Sequence, residues 1–512
     1  MMRSRAGILA GLLLITGGAP ALAQSQPAAP PSQPQAAPAP AGRAWSLADV
    51  LEHAVRHSPA LHTARIDVAV AQAAVLQASG IEDFLLNLTG SFVRNHYEVA
   101  EAGDGEPSQY DLDTISGSLS LSKLLWTGGT ISLQGNTTRG ENLFAFGDPP
   151  MLQTGGDSTT SVTVQILQPL LRGRGESSTR IERIRAQVLA DQARLQREVA
   201  GRTTVRDLVT AYWEVAYAWA DLAIRRSSLD LARERRRLTD ASVRGGATAP
   251  TEVLAVDQVI AQREEDVVVA ELAVTERSLE FRRLAGLEIE PTEIDVRVDA
   301  PLAAQVKTPE LAQVFQVSLQ RSPEIAALEV AGRGASIEID VTDNGLLPRL
   351  DLRAYGGPIG RGVEISDSIE NLTEGGYQVG GEVVIEHALG NSSGRGASQI
   401  ANKERERVRV NMADMRRQIG QSAAQAVALA RSAEKRMQLS RTAIDLTDKN
   451  IKAETGRFEL GKSSNFDVLL RQEEHTQARL RFARATADYL RATAVLESLT
   501  GEILPRYGIK VE

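Results

Sequence analysis

The stretch TRIERIRAQVLADQARLQREVAGRTTVRDLVTAYWEVAYAWADLAIRRSSLDLARERRRLTDAS, Thr179 to Ser242, decides how this chain is read. It holds 64 residues, no proline and a single glycine, Gly201. Unbroken, it is a helix about 95 Å long, where globular helices usually stop near about 20 residues. Thr179 and Glu182 have the spacing of a reciprocal helix cap. Leu208, Tyr212, Val215, Trp219 and Leu222 recur at steps of four and three, the seam of a helix packed along another helix. A seam of that length needs an equally long partner; the bare alternative is an isolated coiled-coil stalk.

Outward from it, Gly245-Gly246 breaks the helix, and a return helix from Thr251 to residue 285 carries Val253, Val256, Val259, Ile260, Val267 and Leu272 before Gly286. Upstream, Ser46 opens a short helix that stops at Ser58-Pro59, since proline is tolerated only in a helix's first turn. A second helix runs from Pro59 to Ser79, and Gly80 ends it. The period then changes to two. Phe84, Leu86, Leu88 and Phe92 alternate with small or polar residues, as do Ile115 to Leu121, Ile131 to Gly135 and Val162 to Ile166. Strands of about ten residues with one apolar face suit a tilted membrane-spanning barrel, and equally a soluble sandwich. Aromatics tilt the balance to the barrel. Residues 84–170 and 346–387 hold nine of the 21 aromatics in about a quarter of the chain, as interfacial girdles would.

The composition is that of a folded protein of 512 residues, with net charge −8, which gives no electrostatic footprint for nucleic acid. Arg3 and Arg5, the apolar run Ile8 to Ile15, and Ala21-Leu22-Ala23 read as a signal peptide over residues 1–23. An Ala/Pro/Gln-rich spacer over 24–42 follows. The chain has no cysteine, which excludes lipid attachment through an amino-terminal one. Downstream, no run of 18 apolar residues is long enough for a spanning helix. A membrane is therefore crossed by strands or not at all.

The plan occurs twice. Leu311, Ala312, Ser322 and Pro323 stand 264 residues after Leu47, Ala48, Ser58 and Pro59. Alternation returns at Leu350 to Tyr355 and Tyr377 to Glu386 within residues 346–387. A second long helix, 399–458, carries Val408, Met412, Met415, Ile419, Ser422, Ala426 and Leu429 as its seam, and a return helix covers 465–500. Gly461 and Gly501 follow Gly246 and Gly286 by 215 residues, with Asp467-Val468-Leu469 over Glu252-Val253-Leu254. The repeats span 43–300 and 301–504, leaving a tail at 505–512. The two offsets differ by 49, a surplus among the first-half strands that is either an added hairpin or an elaborated surface loop.

The ordered set of motifs resembles the bacterial outer-membrane efflux proteins of the TolC type. The motifs are the Ser-Pro helix pairs, Gln168-Pro169-Leu170 and Leu389-Gly390-Asn391 ahead of the long helices, and Gly461 with Asp467-Val468-Leu469. Trp126-Thr127-Gly128-Gly129 is similar to the family's glycine pair before a helix, yet a strand follows it here. The resemblance implies an α+β membrane protein and a homotrimer, with a shared β-barrel in outer-membrane lipid continued by an α-helical barrel through the periplasm. It implies four strands per chain; the six candidates present would give twelve or eighteen strands in a trimer, and twelve is the expectation. It implies a passive exit duct of a tripartite efflux or type I secretion system, partnered by a periplasmic adaptor and an inner-membrane pump. The periplasmic mouth and adaptor-docking positions carried over are Val243, Gly246, Thr251, Glu252, Phe458, Gly461, Ser463 and Asp467. Where relatives latch the mouth with tyrosine and arginine, this chain has Phe458 and Ser463. Glu252 and Asp467, three of each, would make an acidic ring favouring cations, or are charges suited to helix N-termini.

Other readings fare worse. The sequence offers no catalytic site or cofactor motif, and Gly173-Arg174-Gly175 lacks the lysine of a phosphate loop. His53 and His57 lie four apart without a third metal ligand in view, so a solvated or packed pair is expected. A periplasmic adaptor would lack the duplication, and a trimeric adhesin would present one stalk rather than two repeats.

Overall fold

Both long helices form, each within one unbroken ladder, and their starts depart from the sequence signals. The computed structural model describes residues 44–509 apart from 100–107, 147–150, 247–248, 290, 292–293 and 300. The signal-peptide and spacer readings lie outside the described residues.

In chain order, α1 (Leu47–His57) is capped by Ser46, whose hydroxyl accepts from the Asp49 N–H at 3.2 Å. Then come α2 (Pro59–Ser79), β1 (Leu85–Val99), β2 (Ser108–Leu124), β3 (Thr130–Phe146) and β4 (Met151–Pro169). A single turn, α3 (Glu176–Thr179), precedes α4 (Ile181–Arg244) and its return helix α5 (Thr251–Ala285). The order recurs as α6 (Leu311–Gln320), α7 (Pro323–Leu346), β5 (Arg349–Gly362), α8 (Ile365–Glu370), β6 (Tyr377–Glu386), α9 (Ser392–Glu459) and α10 (Asn465–Thr500), with α11 (Ile503–Arg506) at the end. Among the described residues no helix is long and apolar enough to cross a membrane.

The reciprocal cap expected of Thr179 and Glu182 does not form. Gly175 turns the chain at φ 91°, one turn too early, and the Thr179 hydroxyl donates back to the Gly175 carbonyl at 2.8 Å. Arg180 becomes the N-cap of α4 without a side-chain cap, and Glu182 pairs with Arg185. The second long helix begins at Ser392, ahead of the expected 399, because Asn391 caps it from the left-handed region (φ 38°), its side chain accepting from Gly394 N–H.

The seam of α4 is buried as read: Leu208, Tyr212, Val215 and Leu222 are 0–2% exposed, with Trp219 half-buried. Its partners, however, are two. Leu222 meets Ala270 and Val274 of α5, while Leu208, Tyr212 and Val215 meet a belt of Val50, Leu51, Phe281, Val296 and Ile503. The Trp219 indole N–H donates to Val296 O at 2.8 Å, closing the belt around the helix. Tyr507 and Ile509, read as part of a tail, pack on the same core. On α9 the seam slips. Ser422 and Leu429 are exposed, and Ala423, Ala426, Val427, Ala430 and Ala433 are buried instead. A straight helix drifts about 20° per heptad from a 3.5-residue repeat, and the alanine stripe is what faces α10.

The six strands form one antiparallel sheet in the order β1-β2-β3-β4-β5-β6. The expectation of four strands per chain is overturned, and the surplus of the first half lies in the sheet, four strands before α4 against two before α9. Strands β1 to β4 have 15 to 19 residues, not about ten. Their outer ends carry polar pairs in place of apolar ones, Arg94–Asp113 and His96–Asp111 across β1 and β2, which an apolar period does not register. The faces alternate cleanly. One row reads Leu86, Leu121, Leu133, Val164, Gly356 and Val379 across all six strands. The next row, on the other face, reads Asn87, Ser120, Gln134 and Thr163, and the Gln378 amide reaches over Gly357 to the Thr163 hydroxyl at 2.9 Å.

Candidate functional site at the helical breaks

Each long helix ends on the same device. Gly246 (φ 72°) follows α4 and Gly461 (φ 68°) follows α9, both in the left-handed region that a side chain enters at a cost of about 1 kcal/mol or more. Gly246 N–H donates to Val243 O at 3.0 Å, Gly461 N–H to Phe458 O at 2.9 Å, and Lys462 N–H to Arg457 O at 2.9 Å. A Cβ at either glycine would meet no atom within 4 Å, so the backbone conformation alone selects glycine there.

Beyond the breaks the halves differ. Helix α10 starts with a complete capping box: Ser464 Oγ accepts from Asp467 N–H at 3.2 Å, and Asp467 Oδ2 accepts from Ser464 N–H at 3.1 Å. The same oxygen accepts from the hydroxyl of Ser464 at 2.7 Å and lies 3.3 Å from Ser463 Oγ. These bonds, the Ser464 hydroxyl's foremost, hold the Asp467 carboxyl below the usual carboxylate range. Helix α5 starts from Pro250 with no side-chain cap; Thr251 is exposed and Glu252 half-buried in its first turn. No hydrogen bond or ion pair joins Glu252 to Asp467 among the described residues.

The structure brings the remaining positions together through partners the sequence did not mark. Ser463 Oγ donates to Glu454 of α9, buried to 8% exposure, which also pairs with Arg457 at 3.4 Å. The Arg235 guanidinium of α4 lies over the Phe458 ring at 5.3 Å. Arg235 is itself buried, which pushes its pKa down, with Glu459 countering. A hydroxyl donor and a cation are therefore present at the breaks, supplied by Ser463 and Arg235 in place of a tyrosine and an arginine. Arg235 was hidden in the run Arg233 to Arg237, which reads as a solvated face; nothing in the sequence ties Glu454 to Ser463.

Deeper between α4, α5 and α10, Arg263 is 4% exposed and donates to Ser228 O at 2.7 Å, with Glu473 at 3.9 Å. Higher up, Glu214 of α4 accepts a fork from Arg484 of α10, two bonds of 3.1 Å, and pairs with Arg491 at 2.6 Å. The Glu214 ties join the first half's long helix to the second half's return helix, and Arg263 links its own return helix to both. His53 and His57 do not diverge toward a shared ion. Their rings stack at 4.2 Å and 18°, and His57 Nδ1 contacts His53 O at 3.0 Å.

Residues 314–502 match the family model for outer membrane efflux proteins. Among curated proteins, none matches the sequence closely enough to count as a relative. Among solved structures, the chain is similar to the outer membrane protein VceC of Vibrio cholerae (TM-score 0.64, 15% identity, 89% of this chain and 96% of that one). It is similar to the CmeC outer membrane channel of Campylobacter jejuni (TM-score 0.65, 13% identity, 89% and 85%). It is also similar to the MtrE outer membrane channel of Neisseria gonorrhoeae, solved in an open state (TM-score 0.62, 14% identity, 89% of each).

Proposed function

We propose that this chain, whose residues 314–502 match the family model for outer membrane efflux proteins, belongs to that family and is the outer-membrane exit duct of a tripartite efflux or type I secretion system. It conducts substrates passively to the exterior. The carrying observation is one chain in which a sheet with an apolar and a polar face continues into two helices of 64 and 68 residues. Such helices are each about 100 Å long, enough to leave the bilayer far behind. The working unit is a homotrimer. Strands β1 and β6 have a neighbour on one side only, which lipid does not tolerate. Helix α5 exposes Leu254, Val268 and Leu272, and α9 exposes Leu439 and Leu446, at heptad and half-heptad spacings that suit neighbouring helices. An adaptor docks at the mouth formed by Val243, Gly246, Thr251, Glu252, Phe458, Gly461, Ser463 and Asp467, and an inner-membrane pump supplies the cargo. Membrane fractionation tests the reading: a trimer in the outer membrane supports it, and a soluble monomer rejects it.

Glu252 and Asp467 form an acidic ring at that mouth, and the cap does not compete with the ring, because it keeps Asp467 ionised. Asp467→Ala is expected to shift the reversal potential in single-channel recordings toward lower cation selectivity. Since the Asp467 pKa is depressed, its share of the selectivity persists as pH falls through the ordinary aspartate value of about 3.9 and is lost only below it. Reversal potentials equal to those of the unaltered protein would sink the ring.

A further inference from the structure

Strands β1 and β6 are the two ends of the sheet, and each has a strand partner on one side only. We propose that β6 of one copy pairs with β1 of the next, so that three copies close a single barrel of eighteen strands with Ile385 opposite Leu86, Val383 opposite Leu88 and Val379 opposite Phe92. The proposal rests on the exit-duct reading and extends it from the existence of a barrel to its size and seam.

Three observations converge on that register. Successive strands are antiparallel and six in number, so β6 descends where β1 ascends, and the seam is antiparallel like every other pairing in the sheet. The apolar face carries even-numbered residues on β1 (Leu86, Leu88, Phe92) and odd-numbered ones on β6 (Val379, Val383, Ile385). Face continuity therefore admits every second register and no other, since a one-residue slip would turn apolar side chains into the lumen. The tilt chooses among those. The row that starts at Leu86 reaches Val379 on the sixth strand. Closure at a tilt of about 35–45° requires each copy to advance the row by about six to eight residues. Val379 opposite Phe92 advances it by six and pairs Ile385 with Leu86, Val383 with Leu88 and Gly381 with Gly90 on the apolar face, with Tyr377 opposite Arg94 at its outer end. An advance of eight would put Val379 against Arg94.

At a strand spacing of about 4.8 Å and a tilt of about 35°, eighteen strands give a backbone radius of about 17 Å, against about 11 Å for twelve. The outer-membrane segment is then wide, and its wall is neutral over much of its circumference, with Ser116, Ser118, Ser120, Gln134, Asn136, Thr163 and Gln165 on the lumen face. Selection falls to the helical mouth rather than the barrel.

The chain has no cysteine, so engineered pairs report the seam without background. Asn87→Cys with Val384→Cys, and independently Thr89→Cys with Glu382→Cys, place thiols on directly opposed lumen-facing positions of the seam. A third double variant, Ser132→Cys with Val384→Cys, reports a barrel in which β1 and β2 lie outside and β6 meets β3. Each is made in the full chain, extracted from outer membranes, oxidised and run on denaturing gels with and without reductant. Reducible ladders ending at a covalent trimer in the first two variants, and none in the third, are expected. Linking only in the third, or a native trimer that neither seam pair links, overturns the eighteen-stranded closure while leaving the duct in place. Absence of any trimer from the outer membrane overturns the duct reading itself.

Discussion

Phe458 and Arg235 join the two helical breaks through a ring face rather than a hydroxyl. A tyrosine at 458 would offer a hydroxyl; phenylalanine offers only its ring face, and the buried Arg235 occupies it at 5.3 Å. A guanidinium over an aromatic face contributes about 0.5–2 kcal/mol, and this one ties the end of α4 to the end of α9. We expect Phe458→Leu and Arg235→Gln each to lower stability in chemical denaturation, and their double variant to fall short of additivity by about 1 kcal/mol. Additive losses would show that the two side chains do not act on each other. At this scale the sequence was informative where backbone geometry dictates the residue: Gly246 and Gly461 were legible because their φ of 72° and 68° disfavours other side chains. Their partners were not, because cation–π and hydroxyl–carboxylate contacts between distant positions leave no periodic trace.

Among the elements, helices were read closely and strands too short. The return helices were expected at 251–285 and 465–500, and they run Thr251–Ala285 and Asn465–Thr500, since glycine stops and apolar steps mark both ends. Strand β1 continues through Arg94 and His96, whose cross-strand acids keep the ladder going after the apolar alternation has ended. What joins the elements was also hidden. Glu214 sits on the α4 seam side between Ala211 and Val215, 8% exposed, and its burial makes sense only with Arg484 and Arg491 arriving from α10. Glu214→Ala would leave two guanidiniums facing each other with their shared acceptor gone. The expected loss is about 2 kcal/mol, less than the about 3–5 kcal/mol of a fully buried pair, because both arginines still reach water. Thermal unfolding of Glu214→Ala beside Glu214→Gln measures it, the glutamine retaining part of the hydrogen bonding; equal stability of all three proteins would mean that Asp488, which also pairs with Arg484 at 2.8 Å, suffices alone.

For the whole molecule, the sequence told that each long helix needs a long partner, and a single chain supplies only part of what its helices can bury. Within one copy, α5 packs on α4 through Val256, Ala270 and Val274, each 0–3% exposed. On its other side Leu254, Val268 and Leu272 stay 59–70% exposed. Leu254 and Val268 are two heptads apart and Leu272 is four residues further, the spacing of a second seam rather than of scattered surface residues. Burying one such leucine or valine is worth about 1.5–3 kcal/mol, and in the proposed trimer three copies of the seam would multiply that gain, drawing cohesion from surfaces that a lone chain leaves in water. Introducing charge at two of these positions, Val268→Glu with Leu272→Glu, should therefore dissociate the trimer while leaving the fold of the chain intact, because neither side chain belongs to its core. Native mass spectrometry in detergent would then find monomers, and circular dichroism would find the helical content unchanged. A trimer of undiminished stability would show that this face of α5 looks into the duct instead, and that the contacts between copies run through α9 alone.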